Sequence, residues 1–173
     1  MQTFECIAAR KSIRDFQRVS VDRDKLEKIV QAALYAPVGM RAYDTLHLTQ
    51  VTNRDVLAKF LKMAREEMGD DKADPIHGAP ALIVVSVKEP THIAFANAAC
   101  LIQNMMLEAT DLGLGSLYVC GIINALREKA AFKELLRLPE GFTPVGAAAV
   151  GYASKGAPAV RLVPNIVTKI DCI

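Results

Sequence analysis

Apolar residues recur along the chain with two different spacings, and the changes between them predict its elements. Leu26, Ile29, Val30, Ala33 and Leu34 recur at helical spacing, with Lys25, Glu27, Lys28 and Gln31 on the opposite side. This predicts an amphipathic helix capped by Asp22 or Asp24. It should stop at Ala36-Pro37, because proline disfavours helical backbone at the residue before it. Residues 46–51 alternate as a half-buried strand, and Asn53 then caps a helix carrying Val56, Leu57, Phe60, Leu61, Ala64 and Met68. Residues 81–87 form a continuous apolar run, the pattern of a strand buried on both faces and therefore central in its sheet.

The remaining elements are bounded by local signals. A short first helix, with Thr3 as N-cap and Phe4, Ile7 and Ala8 as its apolar stripe, ends near Ala9. Residues 69–78 are acidic, contain Pro75 and read as a loop in which His77 is a surface residue. Residues 93–112 carry alanine, cysteine and methionine on several faces, as a helix packed on more than one side would, and Gly113 can supply its left-handed cap. Strand 116–120 runs to Gly121, helix 126–136 follows, and the small residues of strand 143–151 leave room for a neighbouring element. From Lys155 onward, Gly156, Pro158 and Pro164 exclude a helix. An extended arm with a short strand around 166–170 is expected there, ordered by a partner subunit. Strands and helices mix without strict alternation, so the 173 residues read as one α+β domain, a mixed sheet flanked by helices.

Composition narrows the function. With 51% apolar and 23% charged residues the chain has a globular core, and a net charge of +2 is too small for a nucleic-acid footprint. Asn97, Gln103, Asn104, Glu108 and Asp111 interrupt the most apolar long run, so no membrane span is expected. The start lacks a basic flank and apolar core, which predicts no leader peptide. Cys6, Cys100, Cys120 and Cys172 are scattered, without the close spacing of zinc or redox motifs. Reduced thiols, no metal site and a cytoplasmic protein are expected.

No Gly-x-Gly-x-x-Gly, Walker, His-Glu-x-x-His or Gly-x-Ser-x-Gly pattern is present, and the three histidines lack a nearby acid pattern. Hydrolytic, nucleotidyl and protein-only acid–base chemistry therefore have little support, and no catalytic side chain is nominated. What stands out is Arg10-Lys11-Ser12-Ile13-Arg14-Asp15-Phe16. Guanidinium forks, an ammonium and a hydroxyl suit phosphate, and on an extended segment Arg10, Ser12 and Arg14 share one face with Ile13 on the other. Such a stretch also occurs as a solvated basic turn. Ala36-Pro37-Val38-Gly39 reads as a shaped loop, with Gly39 allowing backbone closed to other residues, or as a plain helix stop. Phosphate binding beside shaped loops suits a phosphorylated cofactor that brings its own chemistry.

The basic stretch, Ala36-Pro37-Val38-Gly39, Gly113-Leu114-Gly115-Ser116 with Gly121, Leu138-Pro139-Glu140-Gly141 and Val150-Gly151-Tyr152 occur in an order that resembles the FMN-dependent nitroreductase family over nearly the whole chain. The resemblance implies a mainly antiparallel central sheet and a homodimer with FMN at the interface, its extended C-terminal arms exchanged. It places the FMN phosphate and ribityl chain at Arg10, Lys11, Ser12 and Arg14, with Arg161 as a second phosphate cation. Ala159 stands where some relatives have a further lysine. Pro37, Val38 and Gly39 match a loop along the flavin, reaching across from the other subunit, and Cys120 and Gly121 match the strand end whose backbone approaches the ring.

The departures are specific. Arg41-Ala42-Tyr43-Asp44-Thr45 replaces the Asn and Gln-Pro-Trp that many members carry after the loop, so Arg41 stands in place of a flavin-contacting amide, facing either flavin or acidic substrate, or solvent. The resemblance implies hydride transfer from NADH or NADPH through FMN to a nitroaromatic, quinone or similar small-molecule acceptor by a ping-pong cycle. A flavin-binding or sensing dimer without turnover, and a reductase fed by a protein donor, are the alternatives the altered stretch leaves open.

Overall fold

A computed structural model of the protein describes residues 1–154. Its helices are α1 (Thr3–Ala9), α2 (Arg23–Leu34), α3 (Arg54–Met68), α4 (His92–Asp111), α5 (Gly121–Leu126) and α6 (Ala130–Leu135), and its strands β1 (Leu46–Val51), β2 (Ala81–Val87), β3 (Gly115–Val119) and β4 (Thr143–Gly151). The strands form one sheet in the order β1-β2-β4-β3, with every pair antiparallel. The expected mixed character is confined, among the described residues, to one parallel bridge between Ser12 and Ser116. The C-terminal arm, its strand near 166–170, Ala159 and Arg161 lie outside the described residues.

The apolar run of β2 is explained by what covers it. Ile83, Val85 and Val87 enter a core with Leu26 and Ile29 of α2 and Leu101, Ile102 and Met105 of α4. Leu82 and Val84 enter a second core with Leu57 and Phe60 of α3, Ile123 of α5 and Phe132 of α6. Helices on both faces leave no position on this strand for a polar residue to reach water, and β2 is central as predicted. The small residues of β4 have the expected consequence: a Cβ on Gly146 would lie 2.9 Å from Ile102 Cδ1, and one on Gly151 2.6 Å from Pro80 Cδ. Pro144 fits a central strand because the β2–β4 register shifts beside it, Val85 pairing with Gly146 and Ser86 with Pro144.

The caps divide into those read correctly and those reassigned. Asn53 Oδ1 accepts from the N–H groups of Asp55 and Val56, and Gly113 takes φ +74° after α4. Asp22 precedes α2, but its carboxylate accepts from the Tyr152 hydroxyl at 3.1 Å rather than capping the helix. Gln2, not Thr3, precedes α1, and its N–H donates to Glu5 Oε2 at 3.3 Å. The stripe of α1 is also corrected. Cys6 packs inward and its thiol donates to the Leu107 carbonyl, whereas Phe4 is 80% exposed. The helix expected at 126–136 is shortened to α6, and α5 before it is a helix that the sequence reading did not expect; the chain turns between Leu126 and Ala130, and Ile123 and Phe132 are both buried. Among the described residues, no helix is long and apolar enough to cross a membrane.

Candidate functional site

The basic stretch is an arm laid along the sheet rather than a free turn. Ile13 N donates to Ser116 O at 2.9 Å, Gln17 N to Tyr152 O at 2.8 Å and Ser154 N to Asp15 O at 2.9 Å. Phe16 N donates to His77 O at 3.2 Å while its ring is buried against the α3 layer. His77 is half-buried and left-handed, at φ +53°, not a simple surface residue. The pinned backbone sends Ile13 inward and leaves Ser12 and Arg14 outward, as an extended segment requires. Among the described residues the side chains of Lys11, Ser12 and Arg14 take no hydrogen bond or ion pair; Arg10, half-buried, is engaged.

Arg14 lies on the rim of a groove of about 520 Å³ formed by β3, the start of α5 and the end of α3. Leu117, Val119, Ile122, Met68 and Pro75 contribute its apolar lining, and Cys120 and Gly121 line it as well. Gly121 opens α5 rather than closing β3. The first N–H groups of a helix have no intrahelical acceptor, so those of Gly121 and Ile122 remain as backbone donors at the groove. Glu67, the acidic residue on the wall, is ion-paired with Lys129. Arg14 is thus the uncompensated charge, and the groove combines an apolar slot with a cation and backbone donors. That set suits a planar organic ligand bearing an anionic group.

Two asparagines that sequence reading did not assign to the site hold its parts. Asn124 Nδ2 donates to Cys120 O at 3.0 Å, Cys120 Sγ at 3.1 Å and Val145 O at 3.2 Å, fixing the turn from β3 into α5. Its own carbonyl accepts from Arg127 Nη1 at 3.3 Å, and that guanidinium stacks over Phe95 of α4. Asn97, buried on α4, accepts from Gly39 N at 3.1 Å and anchors the loop after α2. In each case the available signal is a carboxamide within an otherwise apolar helical face, where a buried amide must find partners.

The loop itself differs from expectation. Gly39 is not the left-handed residue; Met40 and Arg41 are, at φ +57° and +56°. A Cβ on Gly39 would meet Ile93 at 3.4 Å, ordinary contact. Consecutive left-handed side-chain-bearing residues carry strain of about 1–2 kcal/mol each. Three features hold them: the Asn97 bond, the bond from Arg41 N to Val38 O, and Tyr43, whose hydroxyl donates to Ala36 O. Tyr43 therefore packs on its own loop. Pro37, Val38, Gly39 and Arg41 line no part of the groove holding Arg14, Cys120 and Gly121; Val38 packs against the core that α2 and α4 cover. Arg41 points into open space, with no side-chain hydrogen bond or ion pair among the described residues.

A model described as the nitroreductase family matches residues 7–152. A nitroreductase of Bacteroides fragilis solved with bound FMN superposes with a TM-score of 0.89 at 28% identity, covering 100% of this chain and 99% of that one. A nitroreductase of Desulfitobacterium hafniense gives 0.85 at 23% identity over 99% and 100% of the two chains, a likeness of fold. The NADPH-flavin oxidoreductase of Vibrio harveyi is 29% identical over 149 residues, spanning 80% of this chain and 60% of that protein.

Proposed function

The chain belongs to the nitroreductase family, and on that premise we propose that it is an FMN-dependent oxidoreductase. It takes hydride from NADH or NADPH and delivers it to a nitroaromatic, quinone or similar small acceptor by ping-pong turnover. The observation that carries this reading is the meeting of Arg14 with the backbone of Cys120 and Gly121 on one apolar-walled groove.

The residues fit FMN. The apolar lining suits the ring system, the uncompensated guanidinium of Arg14 suits the phosphate-bearing ribityl chain, and the backbone donors of Gly121 and Ile122 need no titration to serve reduced and oxidised forms alike. Bound there, FMN supplies the hydride chemistry, so this chain's residues bind and orient. Arg10, Lys11 and Ser12, on the same pinned arm, hold the phosphate and ribityl chain with Arg14, and Arg161 adds a second cation from beyond the described residues. Asn124 keeps the Cys120 backbone in place.

The functional unit in this reading is a homodimer with FMN between its subunits. Phe4 of α1, Leu34 and Tyr35 at the end of α2, Met40 of the loop and Ile93 of α4 are exposed apolar residues, with Tyr35 87% and Met40 96% accessible. An apolar face of this kind calls for a partner. A second copy seated on it brings Pro37, Val38, Gly39 and Arg41 to its neighbour's groove, which accounts for their distance from Arg14 within one chain. The test is an absorbance spectrum of FMN-loaded protein, recorded anaerobically before and after NADH and, separately, NADPH. Rapid loss of flavin absorbance is expected; flavin that stays oxidised with both donors, or no uptake of FMN, overturns the proposal.

A further inference from the structure

A second cavity, of about 300 Å³, opens between the first turns of α3, the chain after Phe16 and the loop before β2. Its floor is apolar: Leu57 and Ile76 are 7% and 1% accessible, and Leu61 and Pro80 complete it. Its rim is cationic. Arg18, Arg54 and Arg65 line it with Asp74 alone among carboxylates, and Ser20 and Thr52 line it as well.

None of the three guanidinium groups is ion-paired among the described residues. Arg65 is fixed in place, its Nε donating to Ala73 O at 3.1 Å, which leaves its terminal nitrogens to the cavity. Asp74 is occupied locally, Oδ1 accepting from Ile76 N at 3.2 Å. Some other surface cations are matched by neighbouring acids, as Arg23 is by Glu27 and Lys129 by Glu67. Here three guanidinium groups and one carboxylate stand beside an apolar floor, and a charge-assisted hydrogen bond formed at the rim is stronger than a neutral one.

We propose that this cavity is a binding site for a small amphipathic organic carboxylate, separate from the cofactor groove. An apolar body, a single ring or short alkyl chain, covers Ala58, Leu61 and Pro80, and the carboxylate takes the guanidinium groups of Arg18 and Arg54. The volume lies at the small end for ligand sites, which excludes a dinucleotide. Neither feature alone specifies this ligand: an apolar floor without the arginines would accept a neutral molecule, and the arginines without the floor would hold only a solvated ion.

The test is an amide-shift titration of the isotope-labelled full chain, with and without saturating FMN, using octanoate and phenylacetate as probes and octanol and acetate as controls. Saturable shifts are expected at Thr52, Ala58, Leu61, Gly78 and Ala79, with at least one acid binding about tenfold or more tightly than the control lacking its charge or its apolar body. Arg18→Glu with Arg54→Glu should weaken that binding about tenfold or more while FMN uptake is retained. Shifts confined to Leu117, Val119, Cys120 and Ala125 would mean the acids enter the cofactor groove. That outcome, no saturable shift with either acid, or equal binding by the double variant would overturn the proposal.

Discussion

Ile13 N donates to Ser116 O at 2.9 Å, and directly beside this bond the Ile13 side chain sits where a Cβ on Gly115 would lie 2.7 Å from its Cγ1. This one contact decides how closely the basic arm approaches β3, and through it where Ser12 and Arg14 stand. Gly115→Ala should therefore force the arm off the strand, since a β-branched side chain has no rotamer to retreat into. The expected cost is about 1–3 kcal/mol of stability, read by denaturant unfolding, together with weaker FMN binding. Gly121→Ala, where nothing lies within 4 Å, is the comparison and should leave the arm in place.

Arg14→Ala removes the uncompensated charge at the groove. FMN affinity should fall by about 10- to 100-fold, the worth of a hydrogen bond to a charged group, with thermal stability nearly unchanged because Arg14 is exposed. Equilibrium titration of the apoprotein measures it; unchanged affinity would take Arg14 out of the site.

Cys120 is exposed in the groove, whereas Cys6 is buried and burial raises its thiol pKa. Alkylation followed by peptide mapping should modify Cys120 well ahead of Cys6. Saturating FMN should slow Cys120 and leave Cys6 unchanged, and equal protection of both would argue for global stabilisation instead of a ligand in the groove.

Tyr35→Glu places a charge on the exposed apolar face at the end of α2. Sedimentation should show a shift from dimer to monomer and FMN binding should weaken with it, because the loop bearing Arg41 would no longer reach a neighbouring groove. A wild-type chain that is monomeric at micromolar concentration with FMN bound would refute the shared site.

Burial holds the Tyr118 hydroxyl in its neutral form, raising its pKa, with the nearby Cys120 adding to the effect. A raised folded-state value stabilises the fold fully below the unfolded pKa of about 10. That contribution is lost as pH rises through the folded value. The melting temperature should fall above about pH 10, and Tyr118→Phe should lessen the fall.

The cores were legible because they rest on local periodicity. The alternation of 46–51, the unbroken apolar run of 81–87 and the helical spacing from Leu26 to Leu34 each specify what an element must bury, whichever partner buries it. Asn53 and Gly113 were legible for the same reason, since a cap acts on its own helix. The start of helix 126–136 differs from expectation because the helical pattern continues through Arg127 and Lys129, while the chain turns there between α5 and α6, both of which pack on the core beside α3. The site was legible as residue types and not as an assembly: Arg14, Cys120 and Gly121 meet, yet Pro37, Val38, Gly39 and Arg41 line no part of their groove.

From the sequence alone follow most of the elements, the two-sided burial of the central strand, and a cationic arm suited to phosphate, because each depends on residues near one another in the chain. Only the tertiary structure decides the strand order β1-β2-β4-β3, the bond from Ile13 to Ser116 that turns the arm into one wall of a groove, and the exposure of Tyr35 and Met40. These depend on contacts between segments far apart in sequence. Their free energies come from the shape of both surfaces together, which no stretch of the chain carries by itself.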